Sequence, residues 1–576
     1  MKEPGRVLIA LVSLLLVLPA RSGLAAAPEA GLSKLAAGVH GEESVRAIKR
    51  LQHAYGHFQE AGAWDDLAEL FTRDAVAEFP DGAVSGREAI RRHFMRDANR
   101  SSSGLAAGQL NVHLLLQPIV TLGDDARGAR GTWHEMTLLG RYGESASWVG
   151  TILENDYAME QGSWRIRRLR VFEQYRGAFE DYGHKAPARW NVPYHFDSKH
   201  VGVTIPAAAL EATAPGRAST VSELSVRIAR IEDEQAVQNL QHTFGYYFDR
   251  KLWDDVTDLF ARDGLFEIAP LGEYVGPANI RRGIEAWFGP QGIERGELFD
   301  HILTGTVVTV AADGATASAR SSELAMVGRN GRYARWEQGT YENRFVKEGG
   351  AWKLAAVRYY PRFATDYDLG WARDVRPVAQ RSSTRPPDRP SPQRWDLYPA
   401  SALAGFHFAN PATGKPVRVR GTVRTPLVAA GHVSAHATDL ANLQRRLSTT
   451  IGFDATENQM SSYGYYIDES AWDEMADTYA STGSKEITGA GVYVGPDRIR
   501  KVLKLRGPLG GRTANFFTIH QVTQPVIHVA PDASSAKARL RLFQAGGNAD
   551  GSSGSWIGGI YENTALVENG EWKFGV

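Results

Sequence analysis

One local pattern occurs three times along this chain and determines how many domains it forms. In each copy an acidic residue stands four positions before a Trp-Asp pair: Glu60 before Trp64-Asp65, Asp249 before Trp253-Asp254, and Asp468 before Trp472-Asp473. A glycine, a histidine and a closing Glu-Asn pair follow at nearly constant distances: Gly86, His113 and Glu154-Asn155; Gly276, His301 and Glu342-Asn343; Gly495, His520 and Glu562-Asn563. Self-similarity of fixed order and spacing is typical of repeated domains. The sequence therefore predicts three copies of one domain.

The length and charge of the chain fit this number of domains and narrow the choice of partners. At 576 residues the chain is several times longer than a compact domain, which has about 100–150 residues. The chain has 65 basic residues (Lys and Arg) and 65 acidic residues (Asp and Glu), so its formal net charge is zero. A nucleic-acid partner needs a basic surface, and an anionic membrane needs a polybasic segment. We therefore expect neither nucleic acid nor a membrane as a partner of the mature chain.

Residues 1–27 have the composition of a signal peptide. Lys2 and Arg6 precede an apolar run over residues 7–18 that is too short to span a bilayer, and three alanines at 25–27 suit a cleavage site. An uncleaved anchor is the alternative, which the early end of the run disfavours. The chain is thus predicted to be exported, to the periplasm or the exterior. It contains no cysteine, which excludes disulfides, thiol catalysis and thiolate metal sites.

Within each copy the periodicity of apolar residues changes from helical to strand-like. In the first copy it predicts helices over 44–59 and 65–73, a hairpin turning at Asp81-Gly82, and a third helix after Gly86. Four β-rich segments then follow over 113–122, 129–139, 148–159 and 163–175. The predicted fold class is α+β: three tandem cone-shaped domains, each with about three helices packed on a curved antiparallel sheet.

The repeats and the segments between them give the domain boundaries. Domains are predicted at 40–184, 222–372 and 439–576, with the last strand of the third cut short. Residues 185–221 form a tail and linker, and 373–438 form a second one that is rich in Pro and Arg. Both linkers contain an aromatic-His-Phe triplet, at 194–196 and 406–408, and each is expected to belong to the tail of the preceding domain.

The first helix of each copy has an unusual polar face. One side of this helix in the second copy carries His242, Tyr246, Asp249 and Trp253. The matching residues are His53, His57, Glu60 and Trp64 in the first copy, and Ser461, Tyr465, Asp468 and Trp472 in the third. A face used only for packing would be aliphatic, so we expect these residues to line a polar pocket. A solvated acid at the end of a helix is the alternative. The aspartate of each Trp-Asp pair is predicted to be the N-cap of the second helix.

A histidine on the first long strand of each copy supplies the second half of a catalytic pair. A carboxylate orients an imidazole, and imidazole transfers protons near neutral pH, so an acid and a histidine suffice for acid/base chemistry. A histidine buried in the core is the alternative. Only the first copy has a second strand histidine, His134, where the others have Ser322 and Arg541. The three pockets are therefore predicted to differ, with the first or second favoured as the active one.

These motifs together resemble the nuclear transport factor 2-like superfamily, and within it the SnoaL-like domains. That branch includes polyketide cyclases, scytalone dehydratase and ketosteroid isomerase relatives. The resemblance covers residues 40–180, 222–370 and 439–576. It implies a cone with an apolar cavity closed by three helices, and it implies catalysis without a cofactor or a metal.

The resemblance also assigns candidate site residues. It implies catalytic roles for Glu60 with His113 and His134, for Asp249 with His301, and for Asp468 with His520. It implies substrate binding by Tyr55, His57, Tyr246 and Tyr465. The residue before each acid departs from the tyrosine of the dehydratase branch, being Gln59, Phe248 and Ile467.

The expected function is therefore that of an exported protein that binds a small, largely apolar molecule. If the chain is an enzyme, it is expected to be a dehydratase, isomerase or cyclase that moves a proton next to a carbonyl group. A non-catalytic scaffold that binds a ligand or a protein is the alternative. The three copies are expected to form an intrachain pseudo-trimer, or to pair in a homo-oligomer.

Overall fold

A computed structural model gives the three-dimensional structure of most of the chain. It describes residues 23–98, 103–181, 192–211, 219–400, 402–417, 419, 422–423, 439–505, 516–548 and 552–576. The predicted signal peptide lies outside the described residues except for residues 23–27, which begin the first helix. Parts of the predicted linkers, at 182–191, 212–218 and 424–438, also lie outside them.

The same order of elements recurs three times, so the predicted α+β class with three tandem domains is confirmed. The first domain contains α1 (Gly23–Ala61), α2 (Trp64–Glu69), β1 (Phe71–Phe79), β2 (Gly82–Ser85), α3 (Arg87–Asp97), β3 (Gln109–Leu122), β4 (Gly128–Arg141), β5 (Ser145–Glu160), β6 (Ser163–Ala178) and a 3₁₀ turn (Phe179–Asp181). After the short linker helix α4 (Ala207–Glu211), the second contains α5 (Val221–Asp249), α6 (Trp253–Asp258), β7 (Phe260–Ile268), β8 (Gly272–Val275), α7 (Pro277–Phe288), β9 (Glu297–Val310), β10 (Thr316–Arg329), β11 (Tyr333–Glu348) and β12 (Ala351–Asp366).

The third domain follows a linker with two very short strands, β13 (Leu403–Ala404) and β14 (Thr422–Val423). It contains α8 (Leu440–Asp468), α9 (Trp472–Asp477), β15 (Ser484–Ile487), β16 (Gly491–Val494), α10 (Pro496–Lys504), β17 (Phe516–Val529), β18 (Ser535–Asn548), β19 (Gly554–Glu568) and β20 (Glu571–Phe574). Strand β20 has four residues, whereas β6 and β12 have 16 each. Most of one edge of β19 is therefore not paired with another strand among the described residues.

The sheets are mostly, but not wholly, antiparallel. In the first domain the strand order is β2-β1-β6-β5-β4-β3, and the second domain repeats it. The four long strands form the predicted antiparallel meander, but β1 pairs with β6 in parallel, and β7 pairs with β12 in the same way. The predicted curved antiparallel sheet therefore also contains one parallel pair, in which β1 lies beside the last strand of the meander.

The start of the second helix differs from its prediction. Helix α2 ends at Glu69, and Phe71 already belongs to β1. The helix begins at the tryptophan itself, so the following aspartate lies in the first turn, and the predicted N-cap role is wrong. These aspartates pair instead with an arginine of the next helix: Asp65 with Arg91, Asp254 with Arg281, and Asp473 with Arg500.

The glycine of each repeat begins the third helix, as predicted. Gly86, Gly276 and Gly495 are the N-cap residues of α3, α7 and α10, with φ of 89°, 80° and 83°. Side chains with a Cβ rarely adopt this left-handed region, which explains the glycine. The turn directs the helix back across the opening of the sheet.

The long first helices of the three domains pack together near their N-terminal ends. Leu35, Leu224 and Leu443 stand at equal distances before the three tryptophans, as do Val39, Ile228 and Leu447, and all six belong to one buried cluster. After these leucine, valine and isoleucine residues, the residues of each helix that face the other two helices follow at alternating intervals of three and four positions. This spacing is the one found in a parallel coiled coil. The three helices therefore form a common axis for the molecule.

A layer of buried charges interrupts this apolar axis. The Arg46 guanidinium donates to Asp454 over 3.1 Å and to Glu234 over 3.1 Å. Lys49 also pairs with Asp454, and its Nζ lies 2.5 Å from Glu457 Oε2. Burial alone would raise the pKa of Asp454, but Lys49 and Arg46 hold it well below its usual range. One carboxylate from the third domain thus neutralises two cations of the first.

A bulge in the first long strand locks each domain onto a neighbour. Gln117 and Gln524 adopt positive φ of 56° each, which turns their side chains out of the sheet. The Gln117 amide donates to Ser461 O on α8 and accepts from Val522 N; Gln524 makes the equivalent bonds to His242 O and Leu303 N. In the second domain the bulge is Gly305, whose carbonyl lies 2.7 Å from His57 Nε2. The bulge of the first domain thus contacts the long helix of the third domain. The bulge of the third domain contacts the long helix of the second, and the bulge of the second contacts the long helix of the first.

Three tryptophans meet where the three sheets converge. Trp148, Trp336 and Trp556 occupy the same position in β5, β11 and β19, six residues before the Glu-Asn pair. Their ring centroids are 5.2, 5.1 and 5.8 Å apart. Edge-on and tilted contacts of this kind are favourable for aromatic rings. This tryptophan cluster therefore joins the sheets of all three domains.

The aromatic-His-Phe triplets connect domains rather than serving only as tails. His195 lies against Glu154 of its own first domain, but Tyr194 and Phe196 pack on α8 of the third domain. His407 lies against Glu342 of the second domain, and Phe406 and Phe408 pack on α1 of the first. Each triplet therefore joins the preceding domain to another one in the cycle.

Candidate functional site

In the second and third domains the structure brings the predicted acid and histidine together. His301 Nδ1 donates to Asp249 Oδ1 over 3.1 Å, and His520 Nδ1 donates to Asp468 Oδ1 over 2.6 Å. The backbone N–H of each histidine donates to the same carboxylate, over 2.8 Å in both cases. The acid therefore fixes both the ring and the strand that carries it.

In the first domain the predicted pairing of Glu60 with His113 and His134 is wrong. Glu60 accepts from Arg362 over 2.9 Å and from Ser322 over 3.2 Å, and both partners belong to the second domain. Burial alone would raise the pKa of Glu60, but His57 and the Arg362 guanidinium lower it to about 2. Because the sheet of the second domain covers this end of α1, Glu60 is an interface residue.

Replacement of Glu60 by glutamine is expected to change how stability depends on pH. Because the pKa of Glu60 is lowered from 4.5 to about 2, its ionised form stabilises the fold above pH 4.5, and this contribution is lost as the pH falls toward 2. Glu60→Gln should lower the free energy of unfolding by about 2 kcal/mol at neutral pH. Urea denaturation from pH 7 to pH 3 should show the difference shrinking. An equal change for exposed Glu88→Gln, or a difference independent of pH, would contradict this.

His113 has a different carboxylate partner from the one predicted. Its Nδ1 lies 2.8 Å from Glu135 Oε1 on the adjacent strand β4, and its Nε2 lies 3.1 Å from Asn111 Oδ1. The other carboxylate oxygen of Glu135 accepts from Thr151. Both ring nitrogens of His113 therefore have protein partners.

These residues face a cavity of about 390 Å³ inside the first domain. Its lining includes Tyr55, Gln59, Trp64, Phe94, His113 and Glu135. A cavity of this volume fits a small organic molecule, and its lining mixes aromatic and aliphatic side chains with polar ones. Of the predicted residues of the first domain, Tyr55 and His113 thus line one pocket.

The second strand histidine lies elsewhere. His134 is fully buried, its Nδ1 is 3.0 Å from Gln174 Oε1, and its ring stacks on Tyr465 of the third domain at 4.7 Å. Burial lowers its pKa to about 3. His134 points to the opposite face of the sheet from His113, so the structure does not bring the two together.

Three of the four predicted substrate-binding residues contact a neighbouring domain. The Tyr246 hydroxyl donates to Gln524 O and the Tyr465 hydroxyl to Gln117 O, over 2.8 Å each. His57 occupies the matching position against Gly305. The helical face expected to line a pocket is therefore largely an interface between domains. The bulges described above cover it.

His301 in the second domain lies within a buried cluster of charges. Burial alone would lower its pKa, but Asp249 and the nearby Glu323 and Glu337 raise it. Burial raises the pKa of both glutamates. Asp249 also pairs with Arg541 of the third domain. The acid of this pair is thus shared between the histidine and the domain interface.

The third domain places its acid–histidine pair at a cavity of about 530 Å³. The lining includes Met460, Tyr463, Lys485, His520, Leu540 and Tyr561. Lys485 Nζ donates to the Tyr463 hydroxyl over 2.5 Å and also lies over its ring. Among the described residues, no hydrogen-bond partner is found for His520 Nε2, whose ring borders the cavity. The site therefore combines an oriented imidazole with a cation and a hydroxyl.

The sequence analysis missed Glu135, Tyr463 and Lys485. One signal for Tyr463 was present in the sequence, because the residue nine positions before each tryptophan is aromatic: Tyr55, Phe244 and Tyr463. Glu135 also has a counterpart, Glu323, at the same distance from the strand histidine. Lys485 has no such counterpart that we recognise, and only the folded hairpin β15–β16 brings it to the cavity.

Neither a metal-binding cluster nor a membrane-spanning helix is found within the described ranges. Within these ranges, no group of three or more His, Asp or Glu residues is arranged to hold a metal ion. Over the same part of the chain, no helix combines the length and the apolar character needed to cross a bilayer.

Comparison with known proteins identifies the repeated unit. The model of the SnoaL-like domain family matches three segments, residues 43–170, 229–358 and 454–575. Each segment begins within the first long helix and ends in or just after the last strand of the meander, and together the segments cover more than half of the chain. A search of curated proteins gives no match.

Solved structures resemble single domains of this chain. A putative scytalone dehydratase from Novosphingobium aromaticivorans is 20% identical over 27% of this chain and 98% of its own, with a TM-score of 0.21. A hexachlorocyclohexane dehydrochlorinase from Novosphingobium barchaimii is 15% identical over 26% and 99%, with a TM-score of 0.22. ActVI-ORFA from Streptomyces coelicolor is 18% identical over 22% and 94%, with a TM-score of 0.20. On the three family matches, the chain belongs to the SnoaL-like domain family and contains three copies of its domain.

Proposed function

We propose that the third domain is a cofactor-independent acid/base site that acts on a small carbonyl compound. The observation that carries the proposal is the His520 ring at a cavity of about 530 Å³, with its Nδ1 held by Asp468. An imidazole fixed in this way presents Nε2 to a bound molecule as a proton acceptor. This choice differs from the sequence analysis, which favoured the first or second domain.

The proposed reaction begins with removal of a proton from the carbon next to the carbonyl group. His520 Nε2 takes this proton, and the electron pair moves onto the carbonyl oxygen. Lys485 and the Tyr463 hydroxyl, which line the same cavity, stabilise the negative charge that develops there. Asp468 stabilises the imidazolium that His520 becomes.

The second half of the reaction returns the proton. If the β-carbon carries a hydroxyl group, the electron pair expels it, the imidazolium protonates it, and water leaves. If a double bond joins the β- and γ-carbons instead, the electron pair shifts along the chain, and return of the proton to the γ-carbon gives the conjugated isomer. The lining side chains Met460, Leu540 and Leu542 favour an apolar or aromatic carbon skeleton. Dehydration and isomerisation thus share one set of residues.

Exchange of carbon-bound protons with solvent tests the proposal and does not require the natural substrate. A panel of cyclic ketones and β-hydroxy ketones in D₂O, followed by ¹H NMR, should show exchange or elimination catalysed by the full chain. His520→Ala should reduce the rate at least about 100-fold, because a general base contributes about 10²–10⁴-fold. Asp468→Asn should reduce it in the same direction.

His528→Ala is the matched control, because His528 lies exposed on the same strand β17. Its rate should equal that of the unaltered chain. Circular dichroism confirms that each variant is folded. The proposal fails if His520→Ala keeps the full rate, or if no probe in the panel exchanges.

For the first domain we propose ligand binding without proton transfer. The supporting observation is that both ring nitrogens of His113 have protein partners, Glu135 and Asn111. His113 then forms part of the wall of the cavity of about 390 Å³, with its ring held in place by these two partners. In the NMR experiment His113→Ala should leave the exchange rate unchanged.

We also propose that the protein acts outside the cytoplasm. The support is the basic, apolar and small-residue pattern of residues 1–27. N-terminal sequencing of the protein isolated from its producing cell tests this. Recovery of chains that begin with Met1 would contradict it.

A further inference from the structure

The two aromatic-His-Phe triplets occupy equivalent sites on two different domains. Each histidine meets the glutamate of a Glu-Asn pair: His407 Nδ1 lies 2.8 Å from Glu342 Oε2, and His195 Nδ1 lies 3.4 Å from Glu154 Oε2. In the second domain Arg320 completes the site. Its Nη1 donates to Glu342 over 2.5 Å and to Gly405 O over 3.0 Å.

The aromatic residues of each triplet complete the contact with another domain. Phe406 and Phe408 lie 5.4 and 6.4 Å from Phe58 on α1, measured between ring centroids. In the other triplet the rings pack on Tyr465 and Tyr466 of α8. A triplet site therefore consists of a glutamate on one domain and an aromatic helix face on another.

The third domain carries the same glutamate in a different state of burial. The Glu562 side chain is 61% exposed, whereas those of Glu154 and Glu342 are 0% and 3% exposed. Its partner Arg539, at the position of Arg320, is 45% exposed against 4% for Arg320. Within the described residues, no triplet covers this pair.

The helix face that belongs to this third position is also in place. The guanidinium of Arg539 lies 5.3 Å from the ring of Tyr246 on α5. Tyr246, which is 5% exposed, holds the position in α5 that Tyr465 holds in α8, and the half-buried Tyr247 that follows it is the more accessible ring of this face. Glutamate, arginine and aromatic helix face thus recur together, as at the second domain.

We propose that Arg539, Glu562 and the Tyr246–Tyr247 face form a third triplet site, which binds an extended peptide segment of a partner polypeptide. The segment carries an aromatic residue, a histidine and a second aromatic residue in sequence. Its histidine donates to Glu562, and its rings pack against α5 as those of the internal triplets pack against α1 and α8. Among the described residues both internal triplets are engaged at their own sites, so neither is available for this one.

A peptide copied from residues 403–411 tests the proposal, because Arg320 makes its site the closest match to that of Arg539. The peptide, labelled with a fluorophore, is titrated with the full chain and followed by anisotropy. Saturable binding is expected, and Glu562→Gln should weaken it at least about 10-fold, as should His407→Ala in the peptide. Glu348→Gln, an exposed glutamate of β11, is the matched control and should bind like the unaltered chain.

Two results would overturn the proposal. The first is the absence of saturation up to millimolar chain, or equal binding by Glu562→Gln, which would place the peptide elsewhere. The second is self-association of the chain that Glu562→Gln abolishes in sedimentation experiments. That result would assign the site to a second copy of this chain and not to a partner.

Discussion

Replacement of Asp454 by alanine is expected to lower the free energy of unfolding by about 3–5 kcal/mol, because it removes the one carboxylate that is shared by two buried cations. Asp454 is fully buried and pairs with Arg46 and Lys49 of the first domain. Each cation keeps one other carboxylate, Glu234 or Glu457, but neither carboxylate bridges both cations as Asp454 does. Urea denaturation of the full chain, followed by tryptophan fluorescence, measures the loss.

Two further variants separate charge from packing at this position. Asp454→Asn keeps the size of the side chain and should lose nearly as much stability, since the missing charge is the cause. Glu232→Ala breaks a half-exposed pair with Arg446 and should cost less than about 1 kcal/mol. A small effect of Asp454→Asn together with a large one of Asp454→Ala would show that cavity formation dominates.

Trp336→Ala is expected to cost about 3–5 kcal/mol, the range for removal of a large buried aromatic side chain. Trp336 is 1% exposed and contacts both other members of the tryptophan cluster, Trp148 and Trp556. Its loss removes packing from all three sheets at the point where they meet. The thermal unfolding midpoint should fall, and contacts between the domains should weaken with it.

Trp336→Phe is the matched variant, because it retains an aromatic ring at the same place. It should recover a large part of the lost stability. Trp287→Ala, on the half-buried face of α7, tests an aromatic ring outside the cluster and should cost less. An equal loss for Trp287→Ala and Trp336→Ala would mean that the cluster has no special role in joining the domains.

The repeat, the fold class and most elements could be predicted from the sequence because they depend on local periodicity. The four strands of the meander begin and end within a few residues of their predicted limits in the first domain. The prediction makes the second helix too long, because Leu70 and Phe71 continue its apolar pattern although Phe71 belongs to β1. The parallel pairing of β1 with β6 depends on residues far apart in sequence, and periodicity carries no information about it.

The candidate site could be predicted less well, and the reason is geometric. The spacing of His57, Glu60 and Trp64 shows correctly that they share one side of a helix. It does not show what covers that side, and in this protein part of the cover is the sheet of another domain. A polar face therefore indicated a pocket where the structure has Arg362 and Gly305. The pairs Asp249–His301 and Asp468–His520 form as predicted, whereas Glu60, which has the same position in its repeat, binds Arg362 of another domain.

The charged layer on the axis has a consequence for how the protein is made. Arg46 and Asp454 are 408 residues apart, so a ribosome has synthesised both earlier domains, including the first counter-ion of this arginine, Glu234, before the second counter-ion exists. Domains generally fold in order during synthesis, with the N-terminal one first. The growing chain must then keep the inner side of α1 hydrated until α8 emerges. Helix α8, the last of the three axial helices to be translated, is therefore the one that allows the charged side of α1 to be buried away from water.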